Sequence, residues 1–184
     1  MFIEDPSSGK RASVDSRNRL TVFTTDLSQA AQVAIDDELT FSFPINAVDP
    51  DAGPIHILYM ANTDSRYDMV VTRIILSSTV AGLMAIHSVS GTPSNTTAVA
   101  QVNRTVGSSI TVTGNFYTTT TNLGGLTSLG VHHYLALAVS TDRELELLTK
   151  PFILKNNTRA LTLNWAAATG VISGSIEYFL RPVA

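Results

Sequence analysis

The sequence predicts an all-β fold, an antiparallel β-sandwich for which a jelly roll is the favoured topology, with an extended N-terminal arm. Apolar residues recur at a period of two in short segments, which is typical of half-buried strands. Thr, Val and Ile are abundant, and these residues favour strands over helices. No amphipathic segment is long enough for the crossover helices of a parallel sheet, so we expect antiparallel pairing.

Composition narrows the class of protein. The chain has 184 residues, of which 44% are hydrophobic and 15% charged, as in globular domains. A net charge of -3 gives no basic field for sequence-independent nucleic-acid binding. There is no cysteine for disulfides or thiolate metal sites, and no apolar run that spans a membrane or forms a signal peptide. We therefore expect a protein made in the cytoplasm, with no membrane and no direct nucleic-acid partner.

The strands are predicted one by one from the period-two pattern and the turn residues between them. Leu39, Phe41 and Phe43 share one face of a strand over residues 38–43, which Pro44 is expected to end. Together with this strand, the pattern predicts about ten strands. The others cover residues 19–24, 55–61, 69–76, 83–89, 110–118, 131–139, 144–148, 160–166 and 171–181.

The segments between strands are predicted to be loops. Residues 46–54 are rich in turn formers, and residues 28–35 are the one place where a helical turn is expected. Two longer segments, 92–109 and 119–130, are dense in Thr, Asn, Gly and Ser. Long loops on a β scaffold commonly make contacts with other molecules, so we expect these two to be contact loops.

The chain divides into an extended arm, residues 1–18, and a single β-sandwich domain, residues 19–184. Four basic residues lie close together where the arm joins the domain: Lys10, Arg11, Arg17 and Arg19. Such a segment binds either nucleic acid or an acidic protein surface. Because the chain as a whole is negative, we favour docking on a protein, with these four residues as the partner-binding set.

The sequence contains none of the catalytic or nucleotide-binding motifs that tie a chemistry to a fixed spacing. A nucleophile elbow, a P-loop, a dinucleotide fingerprint and a zinc-protease helix are all absent. Glu144 and Glu146 share a strand face, but a solvated edge explains them better than glycosidase chemistry. The acidic segments 36–38 and 49–51 lack the spacing of a calcium loop, so turn capping is favoured. We expect no enzyme activity, catalytic residue or cofactor.

The four histidines, His56, His87, His132 and His133, are weighed as metal ligands. Adjacent residues on a strand point to opposite faces, so His132 and His133 are not expected to bind one ion. The alternative is a symmetric oligomer that gathers one histidine from each subunit on an axis. Strand histidines without metal are favoured.

The segment Gly9–Val22 (GKRASVDSRNRLTV) resembles the opening of tailed-bacteriophage virion structural proteins. In these a Gly-Lys start leads to an Ala-x-Val-Asp segment and then to an Arg-Leu pair that enters the first strand. Residues 58–63 and stretches within 154–179 are similar to later parts of such proteins. The resemblance implies a β-sandwich or jelly-roll subunit, commonly a homotrimer, that cements the head or forms a fibre base, with no catalytic residues to carry over.

Because the chain has no Gly-rich repeat or shaft, the resemblance favours a capsid decoration (cement) protein on the outside of the virion, with the major capsid protein as its partner. The alternative is a receptor- or glycan-binding module of a fibre or spike, in which the loops 92–109 and 119–130 contact the host surface. Phe116 and Tyr117 flank those loops and would supply aromatic stacking, whereas Trp165 alternates into the core.

Overall fold

The computed structural model describes residues 2–4, 11–14, 20–22, 39–51, 53–156, 159–167 and 169–183. In these ranges the chain forms fifteen strands and no helix, which confirms the all-β prediction. The first eight strands are β1 (Phe2–Glu4), β2 (Arg11–Val14), β3 (Leu20–Val22), β4 (Thr40–Val48), β5 (Ile55–Asn62), β6 (Tyr67–Ser78), β7 (Gly82–Ser90) and β8 (Thr97–Ala98). The others are β9 (Val102–Asn103), β10 (Gly114–Thr118), β11 (Thr127–Leu137), β12 (Arg143–Glu146), β13 (Phe152–Leu154), β14 (Arg159–Trp165) and β15 (Ile172–Pro182).

Two antiparallel sheets form the body of the protein. One, the β11 sheet, has the order β11-β7-β14-β5-β10-β8. The other, the β15 sheet, has the order β12-β6-β15-β4-β9, and β13 pairs with β6 on the same side as β12. The sheets pack face to face around one large hydrophobic cluster, so the chain is a β-sandwich as predicted. The jelly-roll topology stays a prediction.

The core lies where the sequence periodicity places it. Phe41 and Phe43, on the predicted face of β4, are 1% and 0% exposed, and Trp165 at the end of β14 is 0% exposed. Phe43 meets Phe116 of the opposite sheet edge to face, with ring centroids 5.6 Å apart. Aromatic side chains therefore join the two sheets across the core.

Pro44 does not end its strand, contrary to the sequence prediction, because β4 continues to Val48. Leu180 N–H of β15 donates to the carbonyl oxygen of Leu39, the residue before β4, and Arg104 N–H donates to Thr40 O from the β9 side. Since backbone groups alternate in direction along a strand, the Pro44 nitrogen faces the β9 side. There β9 pairs only with Phe41 and Ser42, so the missing N–H costs no ladder hydrogen bond.

Three predicted loops contain strand residues. β4 runs to Val48, inside the predicted loop 46–54. β8 and β9 lie within 92–109, and β11 begins at Thr127, inside the predicted loop 119–130. β13 was not predicted, and β10 begins only at Gly114. Two- and three-residue strands are too short to show a period of two, and the TSLG start of β11 has no alternation.

The N-terminal region pairs with itself. β1, β2 and β3 form a three-stranded antiparallel sheet, which an extended arm does not predict. Arg11 opens β2, whereas Lys10, Arg17 and Arg19 lie outside the described residues. The predicted helical turn at 28–35 also lies outside them, and the domain boundary at residue 18 stays a prediction.

Candidate interaction site

The β11 edge, which we define as the free side of β11, is the longest exposed edge of the described sandwich. This strand ends its sheet and pairs only with β7 among the described strands. Three large apolar side chains of this strand, Leu129, Val131 and Tyr134, are 47%, 41% and 58% exposed. None of its eleven residues is Asp, Glu, Lys or Arg. Natural sheets usually protect such an edge with charges, so this one has the composition of a contact surface.

Two β-bulges shape the β11 edge. The register against β7 shifts between Ser128 and Gly130 and again between Val131 and His133, so Leu129 and His132 are the extra residues. The prediction that His132 and His133 point to opposite faces assumed a regular strand. A bulge interrupts the alternation of side chains between the two faces, so this assumption does not hold here. Bulges also increase the local twist, which makes the β11 edge a shaped surface.

A second exposed apolar strip, the β9 edge, consists of Val102 in β9 and of Val106 and Ile110 in the segment that follows it. These side chains are 53%, 99% and 37% exposed. The Asn103 side chain fixes the turn that carries them, since its Oδ1 accepts from Thr105 N at 2.8 Å and its Nδ2 donates to Ile110 O at 3.3 Å. Val106 is therefore held at the tip of an ordered turn.

The two apolar strips lie on opposite sides of the sandwich. β11 and β8 are the first and last strands of one sheet, and β9 is the last strand of the other. Because the two strips differ, one strip of a subunit can bind the other strip of the next subunit in a head-to-tail contact. Such contacts close into a ring when the rotation between neighbouring subunits is a whole fraction of a turn. A surface of this kind was not evident from the sequence, where Val131 and Val102 look like any strand residue.

Of the two carboxylates weighed for catalysis, Glu144 is ion-paired and Glu146 is exposed on the same strand. On β12, Glu144 accepts a hydrogen bond from Arg73 Nε, and this bond holds the pKa of Glu144 below its usual range. A lowered pKa is the wrong direction for a general acid. Nearby, Arg104 pairs with Glu177 at 2.5 Å. These ion pairs link neighbouring strands, so Glu144 has a structural role that does not involve catalysis.

His56 and His87 are in contact on the outer face of the β11 sheet. Their rings meet edge to face at 5.5 Å. Burial lowers the pKa of both, and a second histidine adds to this effect, His87 for His56 and His132 for His87. The Thr162 hydroxyl donates to Leu58 O, so its oxygen is left to accept the Nδ1 proton of His56 at 3.3 Å. In the described ranges no cluster of three or more His, Cys, Asp or Glu could hold a metal ion.

The middle of the predicted contact loop 119–130 packs on the outer face of the β11 sheet. Leu123 is buried against Tyr59 and Ala160 on the outer face of the β11 sheet, and its N–H donates to His56 O at 3.0 Å. Of the flanking aromatics, Phe116 is buried in the core and Tyr117 stacks on Tyr59 at 6.1 Å. This loop therefore covers the sheet, and Phe116 cannot stack on a sugar.

No helix in the part of the chain that the structure describes is long and apolar enough to cross a membrane. Comparisons with protein-family models, with curated proteins and with solved structures find no match to the chain.

Proposed function

We propose that this chain is a non-enzymatic structural protein of a tailed-bacteriophage virion, a decoration (cement) protein that binds the major capsid protein and reinforces the head. The resemblance of Gly9–Val22 to virion proteins and the β-sandwich fold support the proposal. The observation that carries it is the pair of apolar strips, the β11 edge and the β9 edge, on opposite sides of one subunit.

In this proposal three copies form a ring on the outside of the capsid. The β11 edge of each copy packs against the β9 edge of the next, so that Tyr134 and Val131 contact the turn that carries Val106. Closure buries the unpaired strand edge, which would otherwise promote aggregation. The N-terminal basic residues of each copy then bind acidic groups on the capsid.

The ring turns several weak contacts into one stable attachment. When one arm is bound, the other two are held near the shell at high effective concentration, so avidity exceeds the affinity of any one arm. A trimer attached to neighbouring capsid subunits resists their separation under the pressure of packaged DNA. The function is mechanical, and no step of chemistry is required.

We expect Tyr134→Lys and Val106→Lys each to convert the trimer into smaller species. Both side chains are exposed, so the subunit should still fold, while a lysine at the centre of an apolar contact leaves a charge without a partner. Light scattering coupled to size exclusion reports the mass against that of the 19.7 kDa chain. Val183→Lys, at an exposed valine away from both edges, is the matched control and should remain trimeric.

Mixing the two variants tests the head-to-tail geometry. Tyr134→Lys keeps an intact β9 edge and Val106→Lys keeps an intact β11 edge, so a mixture should form one native interface and give a heterodimer. A two-fold interface of β11 with β11 would instead leave Val106→Lys fully associated by itself. That result, or a monomeric wild-type protein, would overturn the ring.

Capsid binding is expected to depend on the basic arm. Replacing Lys10, Arg11, Arg17 and Arg19 together with glutamine should weaken binding to heads assembled without this chain by roughly tenfold or more, because four positive contacts are lost. Co-sedimentation with such heads measures the bound fraction, and Lys150→Gln, at an exposed lysine outside the arm, should bind as wild type. If the wild-type protein does not bind these heads at all, the decoration function is wrong; if the fourfold variant saturates them equally, docking does not use the arm.

A receptor- or glycan-binding module is the second candidate. The observation that favours it is a cationic cleft between β13 and β14, on the β11 side of the sandwich. A host-cell attachment assay with the isolated trimer distinguishes the two functions, since a cement protein is not expected to bind cells.

A further inference from the structure

A cleft of about 420 Å³ opens between the two sheets where β13 ends and β14 begins. Its apolar wall is made by Phe152 of β13 and by Ala160 and Leu161 of β14. This volume is within the range of roughly 300–1,000 Å³ that small-molecule sites occupy. The cleft therefore has the size to hold one small organic molecule.

The polar lining of the cleft carries positive charge. Lys155 and Arg159 supply this charge, the ring of His132 and the hydroxyl of Ser88 also line the cleft, and neither Asp nor Glu is among the lining residues. Within the described ranges no carboxylate forms an ion pair with Lys155. The cleft thus concentrates positive charge in a chain whose net charge is -3. An anion is the ligand that this charge favours.

Two aromatic rings meet at one corner of the cleft. The rings of His132 and Phe152 lie 5.3 Å apart and are inclined at 44°. His132 reaches this position as the extra residue of the second bulge in β11, so the bulge has a use beyond shaping the strand edge. An aromatic face beside a cation suits a ligand that has an apolar ring face and an acidic group.

We propose that this cleft binds a sugar acid, with the C–H face of the sugar ring against Phe152 and its carboxylate at Lys155. Ser88 is placed on the same lining to hydrogen-bond a ring hydroxyl. Binding here does not depend on the virion role, because the isolated chain contains the whole cleft. If the protein is a decoration protein, the site gives the particle an affinity for acidic polysaccharide.

Titration of the full-length protein with glucuronate, glucose and acetate, followed by NMR chemical shifts, separates the two parts of the ligand. Glucose has the ring without the carboxylate, and acetate has the carboxylate without the ring. We expect glucuronate to bind in the millimolar range. Each of the other two should bind about tenfold more weakly, glucose because it lacks the charge-assisted contact and acetate because it lacks the contacts of the ring. If acetate binds as well as glucuronate, the ring is not recognised and the proposal is wrong.

Matched variants locate the site. Lys155→Gln should weaken glucuronate binding about tenfold, while Lys150→Gln, which removes an exposed lysine outside the cleft, should leave it unchanged. Phe152→Ala should weaken glucuronate and leave acetate unaffected. Equal weakening by both lysine variants would show non-specific attraction and would overturn the proposal. Unchanged thermal midpoints for the lysine variants establish that a loss of binding is not a loss of fold.

Discussion

Trp165→Ala should destabilise the protein by about 3–5 kcal/mol, the range for deleting a buried aromatic side chain that leaves a cavity. Trp165 is fully buried at the end of β14, an inner strand of the β11 sheet. The chain is built closely around its indole ring, since a side chain added at Gly82 would lie 2.4 Å from the ring. Its neighbours cannot easily collapse into the space, so most of the cavity should persist.

Urea denaturation followed by circular dichroism measures this loss. Fluorescence is unsuitable because Trp165 is the only tryptophan in the chain. Trp165→Phe keeps part of the packing and should cost clearly less than alanine, whereas Leu148→Ala, at a half-exposed turn residue, should change the free energy of unfolding by about 0.5 kcal/mol or less. A cost for Trp165→Ala as small as that of Leu148→Ala would mean that this region of the core is not well packed.

The position of Trp165 was predictable, and the reason is the range of the interactions involved. Alternation along a strand is encoded within a few neighbouring residues, so the buried faces of β4 and β14 can be read from the sequence. The prediction that Pro44 ends its strand was wrong for the opposite reason. A strand tolerates a proline where no neighbouring strand needs its N–H, and at Pro44 this depends on where β9 ends. That stop is set by residues about sixty positions along the chain, and no local pattern contains it.

The candidate interaction site could not be predicted for a similar reason. Val131 and Tyr134 lie in an apolar, β-rich segment that is also typical of a central strand. They are exposed because β11 ends its sheet, and strand order depends on contacts throughout the chain. The cleft likewise needs a bulge in β11 to bring His132 to Phe152, and a bulge has no reliable sequence signal here. In the predicted loop 119–130, burial of Leu123 on the sheet below it depends on strands far away in the chain, and the role of this loop as a contact loop stays a prediction.

Gly174→Ala should be the most damaging single-methyl substitution that these contacts allow, with an expected loss of roughly 2–4 kcal/mol from backbone strain and overpacking together. Gly174 lies at a register shift in β15, which is paired on both sides by β6 and β4. Its φ is +149°, and an added Cβ would lie 2.0 Å from the carbonyl oxygen of Ile75. The methyl group can be accommodated only if two central strands move apart.

Gly130→Ala separates these two causes. Gly130 has the same φ of +149°, but an added Cβ there meets no atom within 4 Å. Within a single subunit, this control should therefore lose only the strain of the backbone conformation, about 1 kcal/mol. The difference between the two variants in urea denaturation measures the cost of crowding β15 against β6. If both variants lose the same free energy of unfolding, β15 and β6 move apart at no cost. Crowding between these two strands would then not be the reason for a glycine at position 174.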